Sequence, residues 1–504
     1  MNAKGDRSRA WLAACGLLLP AFAATSGCGN DDNIVSASPD CCPDGGVPQG
    51  GAGGAGGTGD AGGGGGAAGE APAPVYGIFQ LYGDEYTKFR ELMGFSLEEY
   101  WAFVDEHVAK LDVRFTRTNT LLIWGMVEPT LGAGYKWNTP MKTDQVIRAT
   151  YAPAEGKRMD ILLVIEPTHG EKGTPPYPTG LEKEYQQFVR AAVARYNGDG
   201  KDDVDEHVRV KHWQVMNEPF FELKSGSLSA QQYADLVKLT AEAVREVDPE
   251  ARIVLGDTAE HTAKIVPLLA GGGYFDAVDT HYWSAAQNGY QPPPLPKLRQ
   301  VLDEGGYASA EIWMCELGTH RNKPDQQPPQ TAEEQARWLV KAMVANRAAG
   351  VSRILWNNLV PWINFMGQPG SWYNFMGLIS TGEASGDAAS ELGKPVTAYH
   401  SYARLIAKTD SEESVLVGEQ PVSAKDGRLF AFEPRGGGER FYVAWSDGSP
   451  ATIELPLSGP AAEVSSLVPD EGGKFLAQNL EAKDGKVAVD LGADPMLVEP
   501  VPGD

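Results

Sequence analysis

Between residue 75 and about residue 408 the apolar positions keep changing their spacing. Short runs with apolar residues on both faces give way to longer stretches in which they recur every three or four places. The first kind reads as a strand covered on both sides, the second as an amphipathic helix. Strand-like runs fall at 75–80, 113–118, 159–167, 210–216, 252–256, 275–283, 311–318 and 353–358. Three of the intervening helices announce their first turn with a capping box, in Ser96 with Glu99, Ser229 with Gln232 and Thr331 with Glu334. Strict alternation of this kind predicts an α/β fold with a parallel sheet, and eight units close it into a (β/α)8, or TIM, barrel over 75–408.

Beyond Thr409 the period drops to two. Residues 429–432, 441–445, 452–455 and 487–491 alternate apolar and polar positions between Gly- and Asp-rich turns. That pattern predicts an antiparallel β-sandwich over 409–504, in support of the barrel.

The N-terminal end follows neither pattern. Lys4, Arg7 and Arg9 precede an apolar stretch at 10–24 that is too short to span a bilayer, and Thr25, Ser26 and Gly27 lead to Cys28. That order resembles a bacterial lipoprotein signal over 1–27 with Cys28 as the acylated residue; secretion with cleavage nearby is the alternative. The Gly- and Ala-rich stretch 28–74 has no apolar periodicity and reads as a disordered tether. The expected location is the cell envelope or the extracellular space, with membrane contact through the lipid alone. Cys41 and Cys42 lie in the tether. Cys315 is the one cysteine expected in the folded part, where it reads as core packing.

The chain has 504 residues, more than one core usually spans, and 42% hydrophobic residues, enough to pack one. Its 43 Lys and Arg against 67 Asp and Glu give a net charge of −24, which argues against nucleic acid as a partner and favours a neutral substrate.

Besides 159–167, which carries Glu166 at its end, two of the strand-like runs end on a single carboxylate. Residues 210–216 run into Asn217-Glu218-Pro219, where the proline can neither donate to a ladder nor let Glu218 turn helical. The run at 311–318 presents Glu316 before Gly318. Two strand ends, each offering one carboxyl, supply what cleavage of a glycosidic bond needs, a proton donor and an attacking group. Here the chain resembles the retaining glycoside hydrolases of clan A, families 5 and 39 among them. The resemblance implies Glu218 as acid/base and Glu316 as nucleophile. It further implies Asn217 on the sugar 2-hydroxyl, Arg117 as support for the nucleophile, His281 and Tyr282 as groups that orient Glu316, and Trp356 as the floor of the first sugar subsite. No metal or organic cofactor is implied, and a monomer acting on β-linked carbohydrate is expected. The competing reading is a non-catalytic carbohydrate-binding or scaffold lipoprotein on the same barrel. Retention of both glutamates speaks against it, since a binder has no need of the pair.

Overall fold

The computed structural model describes residues 73–82, 87–138, 142–151, 158–170, 176–205, 207–284, 290, 292–325, 329–363, 370–470 and 473–502, without the side chains of Asn119 and Thr120. The signal-like segment, Cys28, Cys41 and Cys42 lie outside these. Among the described residues no helix is long and apolar enough to cross a membrane.

Eight parallel strands close into a barrel in sequence order: β1 (Tyr76–Phe79), β2 (Phe115–Ile123), β3 (Asp160–Glu166), β4 (His212–Val215), β5 (Arg252–Leu255), β6 (Ala277–Trp283), β7 (Glu311–Gly318) and β8 (Val351–Trp356). Closure is made by β8 on β1, with Ile354 opposite Tyr76 and Trp356 opposite Ile78. Near-continuous apolar runs form these strands because both faces are covered, as in β3, where Ile161 to Ile165 are all buried. The three capping boxes form with both reciprocal bonds, at the starts of helices Leu97–Leu111, Ala230–Val247 and Ala332–Ala348.

The barrel's last helix ends at Thr409, and an antiparallel sheet follows from Ser414. It has six strands: β9 (Ser414–Glu419), β10 (Gly427–Pro434), β11 (Phe441–Ser446), β13 (Ala461–Ser466), β14 (Ala477–Glu481) and β16 (Met496–Val501). A separate ladder pairs β12 (Ala451–Pro456) with β15 (Lys486–Leu491). The two layers expected from sequence are therefore unequal, six strands and two. Ile453, Leu455, Val487, Val489 and Leu491 of the ladder share an apolar cluster with Leu429, Ala444 and Val498 of the large sheet. The opposite face of that sheet, with Phe430, Phe432, Phe441, Val443 and Trp445, joins the barrel's own core. Helix Ala332–Ala348 lies between barrel and sheet, which is why it is buried nearly all round, from Gln335 and Ala336 through Asn346.

Candidate active site

At the C-terminal rim the last residues of β4 make a sharp turn. Met216 takes φ 60°, a left-handed value that costs a non-glycine residue about 1–2 kcal/mol and re-aims the chain immediately before Asn217 and Glu218. The neighbouring strand end makes room for it. A Cβ on Gly256 would come within 2.4 Å of the Met216 carbonyl oxygen, so only glycine fits there. The turn is tied on its other side by Glu166 at the end of β3, whose Oε1 accepts from the Asn217 N–H at 2.8 Å. Burial pushes the Glu166 carboxyl up to about 8, and that hydrogen bond pulls against the shift.

Below the rim, polar side chains stand inside the barrel among apolar ones such as Val164 and Val254, which share the face of Gln214. Arg117 on β2 is fully buried and spans the site, with Nε donating to Gln214 Oε1 at 2.7 Å, Nη1 to Glu316 Oε1 at 2.8 Å and Nη2 to Asn217 Oδ1. Its guanidinium lies over the Phe79 ring, 5.3 Å from the centroid. Gln214 donates onward to Asp279 Oδ2 at 3.1 Å. His281, opposite Glu316 in the β6–β7 register, has Nδ1 2.8 Å from Glu218 Oε1 and Nε2 3.1 Å from Asp279 Oδ2, with Glu316 Oε1 at 3.8 Å. A carboxylate oxygen of Glu218, one of Glu316 and a ring nitrogen of His281 all lie within 4.8 Å of one another. Glu218 remains open, its side chain 24% exposed, whereas Glu316 keeps 6%.

Charge compensation follows from this packing. Burial works against a charge on His281, but Glu316 and Asp279 outweigh it and hold the imidazolium well above the ordinary histidine range. Burial pushes the Glu316 carboxyl up, His281 pulls it down, Glu218 pushes it up again and Arg117 pulls it down; the balance is upward. Asp279 goes the other way, because His281 and Arg117 overcome its burial. Asp257, at the end of β5, is pushed up to about 7 by burial against the pull of His281. The Glu218, His281 and Glu316 atoms have the spacing of cation ligands. Arg117 and His281, whose charged form Glu316 and Asp279 favour, already face Glu316, so a metal ion would compete with both.

The structure thus brings Glu218, Glu316, Asn217, Arg117 and His281 together. His281 binds Glu218 and Asp279 more closely than the Glu316 it was expected to orient. Tyr282 and Trp356 are placed elsewhere. Because neighbours on a strand face opposite ways, Tyr282 turns to the helix layer when His281 turns in, and its ring stacks on Trp338 at 6.1 Å and 4°. Trp356 meets the same Trp338 edge-on at 6.2 Å, has no exposed surface, and donates Nε1–H to the Met376 carbonyl at 3.1 Å. It cannot floor a sugar subsite. Sequence reasoning missed Gln214 and Asp279, which read as ordinary strand residues, and gave Trp283 no role. The polar-on-apolar pattern inside an otherwise buried strand was the available signal. Cys315 is fully buried, its N–H donating to Asp279 Oδ1 at 2.9 Å, as expected of a core residue.

No protein-family model matches the chain, and no curated protein matches it. Solved structures do. A family 39 glycoside hydrolase from the gut symbiont Bacteroides cellulosilyticus aligns with a TM-score of 0.57 at 17% identity, covering 84% of this chain and 80% of that one. A family 39 β-xylosidase from Caulobacter crescentus aligns at 0.55 and 18%, covering 86% and 98%. A family 51 α-L-arabinofuranosidase from Bifidobacterium longum aligns at 0.53 and 14%, covering 86% and 97%. At these identities the likeness is one of fold, and it extends over barrel and C-terminal sheet together.

Proposed function

We propose that this chain is a glycoside hydrolase that cleaves β-linked carbohydrate with net retention. The observation that carries the reading is the convergence of Glu218 and Glu316, from the ends of β4 and β7, onto one cluster in which an oxygen of each lies within 4.8 Å of the other. Retaining enzymes keep their carboxyl groups about 5–5.5 Å apart for direct attack, whereas inverting ones leave roughly 6.5–9.5 Å for a water. The three solved structures named above are glycosidases by name, which agrees with the reading.

In this mechanism Glu316, ionised under the influence of Arg117 and His281, attacks the anomeric carbon while Glu218 gives its proton to the departing oxygen. The resulting glycosyl ester is then hydrolysed by a water that Glu218 deprotonates. Asn217 Nδ2 donates to Glu218 Oε2 at 3.3 Å and Arg117 holds its Oδ1, so the amide is fixed beside Glu218 with one N–H left for a ligand. There it donates to a sugar hydroxyl as charge develops. We also propose that Cys28 is acylated and holds the protein at the cell envelope.

Removal of each carboxyl separates the roles. Glu316→Ala should abolish turnover of every aryl glycoside, with azide restoring part of it as an inverted glycosyl azide. Glu218→Ala should be severe on poor leaving groups and mild on the first step with dinitrophenyl glycosides, with azide giving a retained product. Full activity in both variants would place the chemistry on other residues, and sugar binding without turnover by the wild type would favour the carbohydrate-binding alternative.

A further inference from the structure

With Trp356 sealed inside the wall, the aromatic surface beside the two carboxylates comes from residues that the sequence does not connect. Trp283, the last residue of β6, packs its indole on Gly318, two places beyond Glu316. A Cβ at Gly318 would come within 2.7 Å of Trp283 Cζ3, so glycine there lets the indole sit directly on the end of β7. Trp362, beyond β8, packs on Phe79 at 5.7 Å, and Phe79 underlies Arg117, the ion-pair partner of Glu316. Tyr373 bridges these two indoles, 5.9 Å and 80° from Trp283 and 5.3 Å from Trp362. Trp283 and Tyr373 each keep part of their surface exposed, so the corner they form is not sealed as Trp356 is.

We infer that this corner, Trp283 with Tyr373, is the seat of the reacting sugar: the indole takes the apolar face of the ring and the Tyr373 phenol binds one of its hydroxyls. The inference rests on the glycosidase reading and deepens it. Burial, then the charges of Glu316 and Glu218, keep the Tyr373 phenol protonated well above its usual range, so it remains a hydrogen-bond donor. The short helix Trp372–Phe375 that carries it is also held rigidly. Arg321, fully buried, receives no freedom from its surroundings: its backbone N–H donates to the Phe375 carbonyl at 3.1 Å, its Nη1 to the Gly377 carbonyl at 2.7 Å, and its Nη2 pairs with Asp387 at 2.8 Å. Trp356 Nε1 holds the intervening Met376 carbonyl. Trp372 packs edge-on against the buried His320 ring at 4.4 Å. Trp356 therefore serves the sugar seat indirectly, by anchoring the segment that presents Tyr373. A hydroxyl on so constrained a segment is preorganised for a specific partner.

The test is Tyr373→Phe in the full chain, which keeps the ring and removes only the hydroxyl. It is assayed on 4-nitrophenyl β-D-xyloside, glucoside and mannoside and on the monodeoxy derivatives of whichever is turned over. Binding of xylose, glucose and mannose to wild type and variant is measured separately by tryptophan fluorescence. A loss of about tenfold or more in kcat/KM at unchanged Tm, absent on the one deoxy substrate that lacks the partner hydroxyl, supports the seat. Activity within twofold of wild type on every substrate overturns it, as does a loss that persists unchanged on every deoxy substrate. If wild type hydrolyses none of the glycosides, the glycosidase reading fails separately. The seat then stands on weakened sugar binding by Tyr373→Phe and falls if binding is equal or absent. Trp283→Phe is the second variant, expected to weaken sugar binding with the fold intact.

Discussion

Whether Glu316 can attack depends on two cations that touch it. Its burial alone favours the neutral acid, and Arg117 and His281 are what oppose that preference. Arg117→Lys keeps one charge but loses the fork that bonds Gln214, Glu316 and Asn217 at once. Without the fork the charge is held less closely against Glu316 and its carboxyl rises further, so the acidic limb of the kcat/KM profile should move to higher pH and the rate should fall by roughly a hundredfold. A pH–rate series on an activated aryl glycoside checks this, and an unmoved acidic limb would mean Arg117 only packs. At this scale the sequence was legible where a residue type is unusual for its setting: Glu218 and Glu316 end apolar strands, and Arg117 lies within one. It was not legible where facing decides. Tyr282 and Trp283 are equally aromatic neighbours, and the pairing of β6 with β7 shifts between Asp279 and His281, so which of the two turns in is set by the register. Tyr373 reaches the site from a short helix whose position depends on Arg321 and Asp387, a long-range arrangement that no local pattern records.

Elements whose signals are local came through most clearly. Each capping box lies within four consecutive residues and formed as read, because side chain and backbone satisfy each other without help from the rest of the fold. The apolar pattern does not mark β9, β13, β14 and β16: β14 is an edge strand with no buried position, and β9, at the other edge, leaves Val415 and Val417 exposed. Strand β8 was placed two residues late. It ends at Trp356, on the residue that locks Met376, and the chain leaves the sheet there. The ends of β3 and β5 carry a pH signature. Glu166 and Asp257 are raised to about 8 and about 7, above the ordinary carboxylate range of the unfolded chain. Between those ranges the folded state binds protons that the unfolded state has released, so stability is fully present in acid and is lost as pH rises toward 8. Wild-type Tm should accordingly fall between pH 5 and pH 8. Glu166→Gln retains an acceptor for the Asn217 N–H and removes the titration, so its Tm should fall less, with its advantage over wild type growing with pH. Parallel melting curves for both proteins would show the wrong sign or the wrong residue.

At the scale of the whole molecule, the proposed acylation at Cys28 makes a prediction about location: Cys28→Ser should move the protein from the membrane fraction to the soluble one with unchanged specific activity, and retention on membranes would remove the anchor from the account. Barrel and sheet make a different one. Read along the chain they are two units, since the apolar period changes from helical to strand-like after Thr409, yet their buried side chains form one continuous cluster. Arg347 on helix Ala332–Ala348 lies over Tyr76 of β1 at 5.8 Å and over Phe432 of β10 at 5.6 Å, and Lys341 pairs with Asp447 at 3.0 Å while lying over Trp445. Lys408 pairs with Glu499 at 2.6 Å. The same helix that meets the sheet through Lys341 and Arg347 meets Tyr282 and Trp356 through Trp338, and Trp356 fixes the segment that carries Tyr373. Loosening the sheet therefore should reach the site through this helix. Trp445→Ala removes a fully buried indole that stacks on Phe430 at 4.9 Å, and should cost about 3–5 kcal/mol of stability. If barrel and sheet share one core, urea unfolding followed by barrel fluorescence and by loss of activity should shift together in the variant, in a single transition. Two separated transitions, with the barrel's midpoint where wild type has it, would show that the sheet is a passenger and that the barrel folds alone.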